Sequence, residues 1–64
     1  MIPQAIKAMH KVRAKHPTAA LYVYRTWDES PYFDRMWIET DDEVVLSEEF
    51  YHPDNCWIDA AARL

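Results

Sequence analysis

The chain contains no glycine. Glycine supplies positive backbone φ and lets a main chain approach a ligand closely. Its absence excludes a P-loop, a Gly-x-Gly dinucleotide turn and a Gly-x-Ser-x-Gly nucleophile elbow. Cysteine is almost as scarce: Cys56 stands alone and has no internal disulfide partner. Small secreted domains usually rely on several disulfides, so a reducing cytosol is the expected compartment. No stretch approaches the ~20 apolar residues that cross a bilayer. The N-terminus also lacks the apolar run and small-residue cleavage site of a signal peptide. Together these absences predict a cytoplasmic protein with no membrane association.

What is present is a short, aromatic-rich, acidic chain. Its 64 residues include three Trp, four Tyr and two Phe. A domain of ~60 residues buries only about 60% of the surface its unfolded chain exposes, so residues 1–64 are expected to form one domain. Burial must then lean on aromatics, each of which covers a large area. Dimerisation is a second way to enlarge so small a core, so the chain is expected to be a monomer or a homodimer.

The pattern predicts an α+β fold of order αβββα. Ile2, Ala5, Ile6, Met9 and Val12 recur at helical spacing behind Pro3, which suits a first helical position, and Pro17 ends the run. Lys7, Lys11 and Lys15 are expected on the opposite side of this helix. Ala19 to Trp27 and Tyr32 to Thr40 alternate as strands, with Leu21, Val23, Met36 and Ile38 on one face. Tyr22, Tyr24, Phe33, Arg35 and Trp37 fall on the other. Asp28, Glu29, Ser30 and Pro31 read as the turn between them. A third strand is expected from Glu43 to Glu48, after a connection at Asp41 and Asp42 where a longer type I turn competes for want of glycine. Pro53 and Asp54 start a short C-terminal helix reaching Leu64. The expected architecture is a three-stranded antiparallel sheet packed against the N-terminal helix. The Tyr22, Tyr24 and Trp37 face is either covered by the C-terminal helix through Trp57 and Ile58, the favoured reading, or an exposed contact site.

Charge is the most informative feature. Eleven Asp and Glu oppose seven Lys and Arg, a formal net charge of −4. The signs separate along the chain: Lys7, Lys11, Arg13 and Lys15 occupy the first helix without an acid, whereas every acid lies between Asp28 and Asp59. A dense negative patch attracts basic surfaces and speeds encounter with them. It repels nucleic acid, so a protein partner is the expectation and direct nucleic-acid binding is disfavoured. The bland alternative is that the acids keep a small aromatic-rich protein soluble and guard its sheet edges.

Catalytic and metal-binding patterns are sparse. His52 and Cys56 form the one nucleophile–base pair worth naming, with Asp54 or Asp59 as orienting acid. A structural zinc site needs four ligands, and neither a Cys-x-x-Cys nor a suitable His pair completes a set around them. A buried free thiol accounts for Cys56 equally well. No catalytic residue, metal or cofactor is assigned, and the expectation is a binding protein rather than an enzyme.

In its shortness, its acid-decorated sheet, its basic first helix and its αβββα reading, the chain resembles the small inhibitors that phages and mobile elements carry against host defence, in particular type I anti-CRISPR proteins. The resemblance covers the whole chain in size, charge and topology rather than through an alignable motif. It implies an inhibitor that docks on a basic surface of a CRISPR surveillance complex and blocks DNA recognition, its carboxylates standing in for phosphates. The residues expected at that contact are Asp28, Glu29 and Asp34 at the first hairpin, and Glu39, Asp41, Asp42 and Glu43 at the second, with Trp37 or Tyr32 as an anchor. The alternative is a regulatory or antitoxin-like module whose basic first helix meets DNA or an acidic partner.

Overall fold

The computed structural model describes residues 1–25 and 34–64. The order of elements is α1 (Pro3–Lys15), β1 (Ala20–Tyr24), β2 (Arg35–Glu39) and α2 (Pro53–Ala62). Among the described residues the sheet has two strands, paired antiparallel with Tyr22 opposite Trp37. α2 lies against β2 and α1 lies against α2.

α1 starts where Pro3 makes the absence of an N–H harmless. The Ile2 carbonyl accepts from both Ala5 N–H and Ile6 N–H. Its buried stripe is Ala5, Ala8 and Val12, while Ile6 is exposed. Small side chains on this stripe let α1 approach α2 closely. The stripe is also rotated toward the lysines relative to the expectation. Lys11 and Lys15 follow Ala8 by three and seven residues, so they flank the buried face rather than oppose it. α2 starts at His52, whose Nδ1 accepts from Asp54 N–H at 3.2 Å. Asp54 Oδ2 also approaches that nitrogen, at 3.6 Å.

The core gathers Ala8, Val12, Ala19, Ile38, Cys56, Trp57 and Ala60, with Leu21, Met36, Leu46 and Phe50 packed against it. Arg13 closes one side of it. Its Nε donates to Ala19 O at 3.0 Å, and its guanidinium carbon lies 5.1 Å from the centre of the Trp57 ring.

The expected third strand, Glu43 to Glu48, does not form. The segment meets β2 only at two isolated bridges, Glu39 with Val45 and Met36 with Phe50. Between them lie three residue steps on β2 and five on the other segment, so two surplus residues must leave the ladder. Ile38 N–H, which a regular strand would bond to a carbonyl, donates instead to Ser47 Oγ at 2.9 Å, and that hydroxyl donates to Glu48 O. Val44, which lies within the expected strand, is exposed. Replacing Ser47 by alanine leaves the Ile38 N–H buried without a partner, at a cost of about 1–3 kcal/mol. For a domain this small, each kcal/mol lowers Tm by roughly 4–8 °C. A thermal melt of Ser47→Ala that coincided with the parent's would show that this bond contributes nothing.

The connection from β2 to this segment is a type I turn followed by a left-handed residue. Glu43 N–H donates to Thr40 O at 3.1 Å, Thr40 N–H donates to Val44 O at 3.0 Å, and Glu43 sits at φ 68°. Glycine is the usual occupant of that position. Having none, the chain places a glutamate there and supports the turn from Thr40. The Thr40 Oγ1 hydroxyl bonds Asp42 Oδ1 and accepts from Val44 N–H at 3.1 Å.

Candidate functional site

Both helices lie on the Leu21 and Ile38 side of the sheet, so the opposite face is not covered by α2 as expected. Trp57 packs in the core, while Tyr22 and Tyr24 remain exposed. The physical reason is register. Strand alternation sends Met36 and Ile38 toward α2, where Cys56 Sγ reaches Met36 O at 3.2 Å. It sends Trp37 the other way, to stack on Tyr22 with ring centres 6.2 Å apart and planes at 16°. Trp37 Nε1 donates to Glu39 Oε1 at 2.9 Å, which satisfies the indole and fixes its orientation.

Where the ladder bulges away, it opens a groove of about 460 Å³ beside Trp37, lined by Trp37, Glu39, Val45, Ser47, Glu48 and Glu49. Glu48 and Glu49 were not among the contact residues expected from sequence. The sequence pattern puts Glu48 at the end of the expected strand and Glu49 in the loop after it, and the bulge brings both beside the indole.

The expected contact residues do not form one cluster. Asp28, Glu29 and Tyr32 lie outside the described residues. Asp34 precedes β2 and pairs with Arg25 at 3.0 Å. Asp41, Asp42 and Glu43 occupy the turn at the other end of β2, on the order of 13 Å or more away at ~3.3 Å per residue. Glu39 links this turn to the Trp37 groove along the strand.

Compensation differs among these acids. Glu48 and Asp59 share Arg63, at 3.0 and 2.8 Å. Hydrogen bonds to Asp59 first and Glu48 second raise the Arg63 pKa above its ordinary value, so the guanidinium stays charged. Glu49 has a looser contact with Arg35 at 4.0 Å. Among the described residues no Lys or Arg pairs with Asp41, Asp42 or Glu43, and all three are exposed.

Cys56 is fully buried, and its thiol donates to Met36 O. Burial pushes its pKa up, with Asp59 adding to the effect against opposing backbone hydrogen bonds. The folded state therefore keeps this proton at pH values where the unfolded chain has lost it. The resulting stability is complete below the unfolded thiol value of about 8.5 and is lost as pH rises through the folded value. Urea midpoints of the parent are expected to fall more steeply than those of Cys56→Ala between about pH 8 and pH 10. Parallel curves would remove the thiol from the account.

Among the described residues no group of His, Cys, Asp and Glu is arranged to hold a metal ion. Among the same residues no helix is long and apolar enough to cross a membrane. No family model matches the chain, and neither does any curated protein or solved structure.

Proposed function

We propose that this chain is a cytoplasmic binding protein that inhibits a nucleic-acid-handling assembly by presenting carboxylates to a basic surface. The observation that supports the reading is the turn at Asp41, Asp42 and Glu43, three exposed carboxylates without a cationic partner among the described residues. Concentrating like charge on one tight turn costs stability through repulsion, and a left-handed glutamate adds backbone strain. A basic groove on a partner relieves the repulsion and gains a steered, fast encounter. Trp37, on the strand that leads into this turn and bonded to Glu39, supplies the aromatic anchor that interface centres favour. The CRISPR surveillance complex is the specific target that the resemblance implies, and DNA recognition is the step blocked.

The test is capture from a bacterial host lysate with the tagged chain, followed by challenge with salt and with duplex DNA. The expected result is a nucleic-acid-handling protein held at low salt and released by either challenge. Screening shortens the Debye length from about 10 Å at 0.1 M to about 3 Å at 1 M. A captured protein indifferent to both challenges would overturn the reading.

A further inference from the structure

α1 and α2 enclose an open groove of about 590 Å³ that none of the acidic-turn residues lines. Its floor is apolar and shallow, made by Ala8, Ile58, Ala61 and Ala62, and its α1 rim carries Gln4, Lys7, His10 and Lys11. The two lysines are four residues apart, so they stand one above the other on α1 and run along the groove. Both are exposed, and neither pairs with an acid among the described residues. On α2 the nearest carboxylate in sequence, Asp59, is held by Arg63 and does not line the groove.

We propose that this groove docks an acidic amphipathic helix of a partner protein. An apolar floor of small side chains admits a helix backbone closely and rewards an apolar stripe at i, i+3 and i+4. The lysine row meets carboxylates at the edge of that stripe, and it excludes basic helices by repulsion. Duplex DNA fits less well, because the donors Gln4, Lys7, His10 and Lys11 all stand on the α1 side, and the α2 side, Ile58, Ala61 and Ala62, offers a phosphate strand none. A second copy of the chain has its unpaired acids, Asp41, Asp42 and Glu43, in a turn, while the acids of its α2 are buried (Asp54) or held by Arg63 (Asp59), so it offers no acidic amphipathic helix. The proposal does not depend on the role of the acidic turn.

The experiment uses the whole chain, isotopically labelled, titrated with a synthetic Leu/Glu amphipathic helix and with its Leu/Lys counterpart, and followed by amide NMR shifts. The acidic helix is expected to shift Lys7, Ala8, Lys11, Ile58, Ala61 and Ala62, and the basic helix to leave them in place. Lys7→Glu with Lys11→Glu should weaken binding at least about tenfold. Ala62→Trp, at an exposed position, should block the groove without touching the rim charges. Shifts elsewhere, equal binding of the two helices, or unchanged affinity in both variants would overturn the proposal. So would tighter binding of duplex DNA, or sedimentation showing a dimer that the rim variant dissolves. Substitutions at Asp41 and Glu43 are expected to leave this titration unchanged, which separates its failure from failure of the acidic-turn reading.

Discussion

Replacing Trp57 by alanine is expected to remove between about a third and all of the stability of the fold. Trp57 is 3% exposed and sits where α1, α2 and β2 meet. Truncating a buried Trp to Ala costs about 3–5 kcal/mol through lost transfer energy and the cavity left behind. At 0.05–0.15 kcal/mol per residue, a chain of this length has about 3–10 kcal/mol in total. The loss therefore consumes a third of that total at least, and all of it at the low end. The Arg13 guanidinium over the ring adds about 0.5–1 kcal/mol at such a partly exposed site, and it loses its platform in the same variant. Trp57→Phe keeps an aromatic face for Arg13 and is expected to fall between parent and alanine. Urea unfolding followed by far-UV circular dichroism orders the three proteins. An alanine variant within about 1 kcal/mol of the parent would mean that the core is organised around some other residue.

How far this core was legible in the sequence depends on what each element is made of. α1 and α2 were readable because their ends are chemical: Pro3 and Pro17 bound the first, and His52, Pro53 and Asp54 open the second. β1 and β2 were readable from alternation, although among the described residues β1 opens at Ala20 rather than Ala19 and β2 closes at Glu39 rather than Thr40. The third strand was misread because Val44, Val45 and Leu46 carry strand propensity, whereas pairing is decided by register. Two surplus residues and a side-chain acceptor at Ser47 leave no trace in a hydrophobic pattern. Lys11 and Lys15 flank the buried face rather than oppose it, since alanines buried at a close helix contact look weaker in sequence than Ile6, which is exposed. The covering of the Tyr22 and Trp37 face turned on which side of the sheet α2 occupies. Periodicity gives each strand two faces and does not say which one meets a helix.

Changing the acidic turn is expected to separate binding from folding. In the variant Asp41→Lys, Asp42→Asn, Glu43→Lys, two exposed charges are reversed, while the amide at position 42 keeps an acceptor for the Thr40 hydroxyl that supports the turn. Position 43 stays left-handed with a side chain of similar bulk, so stability should move by no more than about 0.5 kcal/mol. Close charge pairs across interfaces couple by about 1.5–7 kcal/mol. Affinity for the captured partner should therefore fall by about a hundredfold or more at low salt, and by less as salt rises. Glu43→Gly makes the opposite comparison. It removes one charge and also a left-handed penalty of about 1–2 kcal/mol, offset in part by the greater freedom of glycine in the unfolded chain. That variant should melt higher than the parent yet bind more weakly, which a defect in folding cannot mimic. Calorimetric titration and thermal melts on the same samples decide the matter. Unchanged affinity in both variants, with the melting temperature of Glu43→Gly raised, would reduce the three acids to turn residues that solubilise the chain.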